Sequence, residues 1–156
     1  MKSVKSIQLF LLAMIGFSSF AQTHQVTLTA LDNYFFKRSA QPVTSVLVKV
    51  INHDKYFNDN FGIAKTATNQ VIKPDFSKQR VLAVIMPATS SKTTVSISKA
   101  EKTGSTLNLY FTVQSGEKMS YTIQPVALSV IDRDKSVKRV RFYNGSILFK
   151  TVKLGS

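Results

Sequence analysis

Apolar and polar residues alternate along most of the chain, and this period-two pattern predicts β-strands. The clearest case is residues 105–114, where four apolar side chains alternate with polar or tyrosine side chains and would give one buried and one wet face. Further strands are predicted at residues 24–31, 46–50, 81–86, 93–99, 119–131, 137–143 and 146–153. The chain is therefore predicted to be mainly β, as an antiparallel β-sandwich or a strongly bent sheet.

Three glycine-containing pairs separate these strands and predict tight turns: Thr103-Gly104, Ser115-Gly116 and Asn144-Gly145. Asn-Gly is the strongest short-range hairpin signal among them. Together they predict that the chain from Thr93 onward forms an antiparallel meander. Within residues 119–131 the apolar face changes at Pro125, which predicts a bulge or a bend where the strand changes partner.

The segment KPDFSKQRVLAVIMP, residues 73–87, combines a turn with an apolar strand. Residues 81–86 are apolar at both alternate sets of positions, so this strand is predicted to be central and covered on both faces. Pro74 excludes a helix just upstream. Asp75 is suited to accept a hydrogen bond from a backbone N–H two residues later in an Asx-turn, and Phe76 would then anchor the turn in the core.

One short helix is predicted near residues 53–59. Asn52 is the predicted cap, Asp54 in the first turn suits the helix dipole, and Gly62 would end the helix. Its apolar side would cover part of the sheet.

Residues 1–21 have the layout of a secretory signal peptide, with basic Lys2 and Lys5, an apolar run and small residues before a cut after Ala21. The apolar run of about a dozen residues is shorter than the ~20 that a membrane-spanning helix needs. We therefore expect residues 22–156 to form a single secreted β-rich domain, periplasmic or extracellular, without a transmembrane segment. The chain has no cysteine, so this domain would fold without disulfides.

The exported chain is strongly basic. Once Lys2 and Lys5 are removed, 19 of the 21 Lys and Arg residues remain against 8 Asp and Glu, a net charge of +11. Such a charge attracts anionic partners such as lipid head groups, acidic glycans or an acidic protein face. Nucleic acid is not expected as a partner outside the cytoplasm, and lysines spread over a surface would also serve solubility alone.

No motif for catalysis, a cofactor or a metal stands out in the sequence. His24 and His53 are isolated and offer no metal-ligand spacing, and no cysteine nucleophile, Gly-x-Ser-x-Gly elbow or glycine-rich phosphate loop is present. Asp132 and Asp134 share a predicted loop, but the basic residues around them indicate ordinary solvation. We therefore predict no catalytic, cofactor-binding or metal-binding residues, and a protein that is not an enzyme.

The predicted strand 137–143 carries the first candidate interaction surface. Arg139, Arg141 and Tyr143 would share one face of it with Val137. Two guanidinium groups beside a phenol are suited to bind phosphate, sulfate or carboxylate. The alternative interpretation is a solvent-facing strand whose charges discourage edge-to-edge aggregation.

The segments PDFSKQRVLAVIMP, TTVSISKAEKTGSTLNLYFTV and YTIQPVALSVIDR resemble the C-terminal domain of PrcB-type proteins, secreted bacterial proteins named from a subunit of a surface protease complex. The resemblance covers about residues 74–143, a little under half of the chain. It implies a partner-binding accessory role without catalysis.

The predicted loop 87–92 is the second candidate surface, formed after Pro87 and Ala88 by Thr89, Ser90, Ser91 and Lys92. The PrcB-like family commonly has a Pro-Thr-Gly-Gly-Tyr-like loop at this place. Without those glycines, the loop of this chain cannot make the same backbone turns at positive φ.

The leading hypothesis is a non-catalytic protein-interaction domain, a protease-associated accessory subunit with a protein partner in the cell envelope. One alternative is an anion- or glycan-binding envelope module that binds an anionic polymer through the face of Arg139, Arg141 and Tyr143. A further alternative is a protease inhibitor that acts through the 87–92 loop.

Overall fold

The structure is a computed structural model that describes residues 22–37, 42–64 and 71–155. Strands dominate the described residues, together with one short helix, which confirms the predicted mainly-β class. The elements are β1 (Thr23–Val26), β2 (Thr29–Ala30), β3 (Tyr34–Phe36), β4 (Leu47–Ile51), α1 (Asp54–Asn60), β5 (Phe61–Ile63), β6 (Gln79–Ile85), β7 (Thr89–Thr103), β8 (Thr106–Ile123), β9 (Val126–Asp132), β10 (Arg139–Asn144) and β11 (Ile147–Lys153).

The strands form a sandwich of two main sheets with a smaller third layer. The five-stranded sheet has the order β1-β7-β8-β10-β11, and the four-stranded sheet has the order β2-β9-β6-β4. Apolar side chains from both sheets meet in what we call the inter-sheet core. The other face of the four-stranded sheet packs against α1 and the β3-β5 pair in a second cluster, the helix-side core.

Strand β6 lies inside the four-stranded sheet and is buried on both faces. Leu82 and Val84 project into the inter-sheet core, whereas Val81, Ala83 and Ile85 project into the helix-side core. Each of these side chains is at most 1% exposed. The prediction of a central strand covered on both sides, with the helix on one of them, is confirmed.

The turn before β6 also has the predicted form. The backbone N–H of Ser77 donates to Asp75 Oδ1 at 2.9 Å, and the Ser77 hydroxyl donates to the same oxygen at 2.6 Å. These hydrogen bonds hold the pKa of the Asp75 carboxyl below its usual value. Phe76 packs against the helix-side core and its ring lies 5.6 Å from that of Phe57 in α1. The Asx-turn and the anchoring role of Phe76 are therefore confirmed.

Helix α1 lies within one residue of its predicted position, but both predicted end residues are wrong. His53 is the N-cap, in extended conformation and without a side-chain capping bond, so Asn52 does not cap. The helix passes directly into strand β5, where Gly62 pairs with Phe35. A Cβ atom at Gly62 would lie 2.4 Å from Cζ of Phe35. The glycine therefore allows a ring to pack across the backbone and does not end the helix.

Two of the three predicted turns are present. Gly104 has φ of 56° and Gly145 has φ of 58°, the left-handed region that favours glycine, and they join β7 to β8 and β10 to β11. The third prediction is wrong, because Gly116 lies inside β8. It faces a register shift in β7, and a Cβ atom there would be 3.3 Å from the carbonyl oxygen of Lys92.

The predicted antiparallel meander is wrong after Pro125. The strand does change partner at this residue, as expected, but β9 then pairs with β6 and β2 in the other sheet. The physical reason is that β9 carries apolar side chains toward both cores, so it requires cover on both faces. The chain returns to the first sheet at β10, which consequently runs parallel to β8.

The predicted signal peptide, residues 1–21, lies outside the described residues. Within the part of the chain that is described, none of the helical structure is long and apolar enough to cross a membrane.

Candidate functional site

Strand β10 divides its side chains between the inter-sheet core and solvent. Val140 and Phe142 are fully buried in the inter-sheet core. Arg139, Arg141 and Tyr143 alternate with them and therefore point outward from the five-stranded sheet. The predicted sharing of one face by these three residues agrees with this geometry. Val137, which was expected on the same face, precedes the strand and is buried in the inter-sheet core.

The parallel pairing of β8 with β10 places a second aromatic side chain beside Tyr143. Tyr110 lies opposite Tyr143 in the register, and their rings stack with centroids 5.0 Å apart and an interplanar angle of 19°. Lys99 of β7 lies over the ring of Tyr110, with Nζ 4.5 Å from the ring centroid. We call the set Lys99, Tyr110, Arg139, Arg141 and Tyr143 the cationic face.

Sequence reasoning missed Lys99 and Tyr110 as members of this face. The alternation in residues 105–114 did place Tyr110 on the wet side of its strand. The alternation does not show which strand lies next to β8. That neighbour is β10, which pairs with β8 in parallel, and the strand between them in sequence, β9, belongs to the other sheet. A register shift between Ile97 and Lys99 also turns Lys99 outward.

The cationic face has little compensating negative charge. Glu101 hydrogen-bonds Lys99 with an Nζ–Oε1 distance of 3.0 Å, and this bond raises the pKa of Lys99. Burial, with a further contribution from the Glu101 carboxylate, raises the pKa of Tyr110, so its phenol stays protonated near neutral pH. Neither Arg139 nor Arg141 takes part in a salt bridge among residues 22–37, 42–64 and 71–155.

This geometry is suited to binding an anionic group. Residues 139 and 141 are two positions apart on one strand face, roughly 6.6 Å along the strand. Guanidinium groups at that spacing can donate together to one carboxylate, sulfate or phosphate. The stacked tyrosine pair adds aromatic contact area on the same face, with Tyr143 two residues beyond Arg141 on β10.

The second candidate surface is not a loop in the structure. Thr89, Ser90, Ser91 and Lys92 form the start of β7, where Thr89 pairs with Ile123 and Ser91 pairs with Lys118 of β8. Only residues 86–88 lie between the strands β6 and β7. Lys99 is eight residues beyond Ser91, roughly 26 Å along an extended strand. The structure therefore does not bring the two candidate surfaces together.

Asp134, in the connection from β9 to β10, has a structural environment. Its carboxylate accepts a hydrogen bond from Lys102 of β7 and two from Ser136, one from the backbone N–H at 2.8 Å and one from the hydroxyl at 2.6 Å. The Lys102 bond, followed by those from Ser136, holds the pKa of Asp134 well below its usual range. This network attaches the returning chain to the five-stranded sheet and thereby positions β10.

Replacing Asp134 by Asn should lower the free energy of unfolding by about 0.5–1 kcal/mol at neutral pH, a small value because the carboxylate is partly exposed to solvent. Its folded-state pKa lies below the unfolded value of about 3.9, so the stabilisation is fully present above that pH and is lost as the pH falls through the folded-state pKa. The difference between wild type and Asp134→Asn in urea unfolding should therefore shrink as the pH is lowered below about 4.

The control for this variant is Asp132→Asn, two residues earlier, at an exposed position of β9. Asp132 makes none of the salt bridges found among the described residues. A loss of equal size in both variants, or a loss for Asp134→Asn that does not change with pH, would contradict the assigned network.

A depression of about 480 Å³ beside α1 offers no comparable chemistry. Aromatic rings of Tyr34, Phe57 and Phe76 form part of its lining. The Tyr34 hydroxyl donates to the carbonyl oxygen of Ile72 at 3.0 Å, and burial raises the pKa of this phenol. Tyr34 thus holds the segment before β6 against the β3-β5 pair. In the described ranges, no three His, Asp or Glu side chains are grouped so that they could hold a metal ion.

Over the residues that the structure describes, the fold and the cationic face define a β-sandwich domain with a basic and aromatic surface. No protein-family model, curated protein or solved structure matches the chain. The resemblance to the PrcB-type domain therefore stays a prediction.

Proposed function

We propose that the exported chain is a non-catalytic binding domain that uses the cationic face to bind an acidic surface of a protein partner in the cell envelope. The observation that carries the proposal is that Lys99, Arg139 and Arg141 lie on the same outward sheet face as two stacked tyrosines, with Glu101 as the acid hydrogen-bonded to Lys99. A protease-associated accessory role is the form of this function that the resemblance to PrcB-type domains implies.

The composition of this face supports binding over a role in folding. Its charged side chains do not contribute to either core, whereas the alternate residues of β10 are fully buried. Arginine and tyrosine are enriched among residues that dominate the energy of protein interfaces. The net charge of +11 would add long-range attraction toward an acidic partner and raise the association rate.

The test is capture of a partner from the envelope fraction at native expression, with wild type and the double variant Arg139→Gln, Arg141→Gln compared side by side. We expect one partner to be retained reproducibly by wild type. The purified partner should then bind the double variant at least about tenfold more weakly, because two charge-assisted contacts are lost. Binding by wild type should also weaken as salt is added.

The matched control is Lys73→Gln, Lys78→Gln, which removes the same charge from two exposed lysines outside the cationic face. This variant should bind nearly as well as wild type. Equal weakening of both double variants would mean that net charge alone drives binding and would contradict the assigned face. Failure to capture any reproducible partner would contradict the protein-binding function.

The stacked Tyr110–Tyr143 pair favours a second candidate function, binding of an anionic polysaccharide of the envelope. A sugar ring packed against Tyr143 would place its sulfate or carboxylate groups near Arg141, two residues away on the same strand face. Retention on a sulfated polysaccharide column, with elution of the arginine double variant at lower salt than the lysine control, would favour this function.

A protease inhibitor acting through residues 87–92 receives no support from the geometry. Four of these residues lie in strand β7 and two of them, Thr89 and Ser91, pair with β8, so they do not form a free loop that could enter a protease cleft. We therefore do not propose that function.

A further inference from the structure

Strand β11 exposes large apolar side chains at the edge of the five-stranded sheet. Ile147, Leu148 and Phe149 are 74%, 49% and 42% exposed. Phe149 still makes an edge-on contact with the buried ring of Phe111, with centroids 5.9 Å apart. Three consecutive exposed apolar residues on an edge strand are unusual, because such an edge is a template for pairing with another chain.

The outer edge of β11 is open in the described part of the chain. β11 is the last strand in the sheet order and is hydrogen-bonded only to β10. The N–H of Leu154 donates to the carbonyl oxygen of Lys138, in the same register that pairs Val152 with Val140. Because backbone groups alternate in direction along an antiparallel strand, those of Thr151 and Lys153 point to the open edge.

The outward face of β10 continues onto this edge strand, with a register shift between Phe142 and Tyr143. Leu148 lies opposite Tyr143 in the register, and Thr151 lies opposite Arg141. Lys153 lies opposite Arg139, so positive charge extends from β10 onto the edge strand. Neither β10 nor β11 contains an acidic residue.

We propose that the partner contributes an extended segment of alternating acidic and apolar residues, which adds as a further strand to the open edge of β11. This inference rests on the proposed function and names how the partner binds. Backbone hydrogen bonds to Thr151 and Lys153 would align the segment, and its acidic side chains would project beside Lys153 and Arg139. Its apolar side chains would cover Ile147 and Phe149, whose exposure the free domain leaves uncompensated.

The charge of the edge argues for an acidic partner rather than a second copy of the chain. Pairing of two β11 strands would bring together two lysines from each copy, Lys150 on the side of Phe142 and Lys153 on the side of Arg139, without any acidic side chain in either strand. Like charges that face each other across paired strands are destabilising. An acidic strand would instead reduce the repulsion between Lys153 of β11 and Arg139 of β10, which lie opposite each other.

The test uses a synthetic peptide of seven alternating Glu and Val residues with blocked ends, added to the exported chain labelled with nitrogen-15. We expect saturable binding and slowed hydrogen exchange at the amides of Thr151 and Lys153. A peptide with Lys in place of Glu, and a peptide of the same composition with all Glu residues adjacent, should both fail to protect these amides.

The decisive variant is Thr151→Pro, which removes an edge-facing N–H without removing a hydrogen bond to β10. Thr151→Val is its control, because it alters the side chain and keeps the N–H. We expect Thr151→Pro to bind the Glu-Val peptide at least tenfold more weakly, and Thr151→Val to bind as wild type does. If Thr151→Pro fails to fold, the hydrogen-exchange measurement on unaltered protein decides the question.

Two results would overturn strand addition while leaving the proposed function standing. One is binding of the peptide, weakened by Arg139→Gln with Arg141→Gln, but without protection at Thr151 and Lys153. The other is a concentration-dependent dimer that Thr151→Pro abolishes, which would make a second copy the occupant. If wild type binds neither the peptide nor any partner from the envelope fraction, the proposed function itself fails.

Discussion

Replacing Phe142 by Ala should lower the free energy of unfolding by about 3–5 kcal/mol. The ring is fully buried in the inter-sheet core, so its removal loses apolar burial and leaves a cavity between the two sheets. A loss of this size is a large part of the roughly 5–15 kcal/mol that stabilises a typical domain. Equilibrium unfolding in urea measures it, and an unchanged slope with denaturant would indicate that only stability has changed.

The matched control is Arg141→Ala, which removes a long side chain from the adjacent position of the same strand. Because Arg141 lies on the outward face, we expect a change within about 0.5 kcal/mol. Comparable losses in the two variants would show that β10 does not have one buried and one open face. The assignment of Arg139, Arg141 and Tyr143 to an outward cationic face would then be wrong as well.

Replacing Leu82 or Ile85 of β6 by Ala should cost about 2–5 kcal/mol in each case. Leu82 packs in the inter-sheet core and Ile85 in the helix-side core, so the two losses arise on opposite faces of one strand. Because the side chains share no cluster, the double variant should lose about the sum, within ~0.5 kcal/mol. Urea unfolding of the two single variants and the double variant tests both expectations.

Thr112→Ala on β8 provides the control for these variants, since Thr112 is exposed on the outward side of its strand. Its hydroxyl makes a hydrogen bond with that of Ser96 at 3.1 Å, an exposed contact of small net effect. A large loss for Leu82→Ala together with a small one for Ile85→Ala would mean that β6 is covered on one face only.

The separation of faces on β10 has a practical consequence for the binding hypothesis. Residues that support the fold and residues that would contact a partner alternate along six positions. Substitutions at Arg139 and Arg141 should therefore change binding while leaving the unfolding transition in place. A loss of binding in these variants would then report on recognition rather than on misfolding.

Local sequence signals predicted β6 and its turn well. The Asx-turn at Asp75 depends on a side chain and a backbone N–H two residues apart, and the burial of β6 follows from the unbroken apolar run that begins at Val81. The helix ends were predicted less well. Gly62 satisfies the usual signal for a helix end, yet the ring of Phe35, which packs across it, comes from a different strand.

The meander failed because tight turns specify only the pairing of the two strands they join. Gly104 and Gly145 each fixed one hairpin correctly. The destination of β9 depends on where both of its apolar faces can be covered, and beside β6 one face packs into the inter-sheet core and the other into the helix-side core. Turn residues next to β9 carry no information about this choice.

The sequence by itself determined that this chain is mainly β, that the strand predicted at residues 81–86 is covered on both faces, and that Arg139, Arg141 and Tyr143 share one side of a strand. These features follow from the period of two along a strand, which is a local property. Only the tertiary structure decided that β10 lies parallel to β8, and hence that Lys99 and Tyr110 join the arginines. The neighbours of a strand depend on long-range packing between two cores, and a linear pattern does not encode which strands meet.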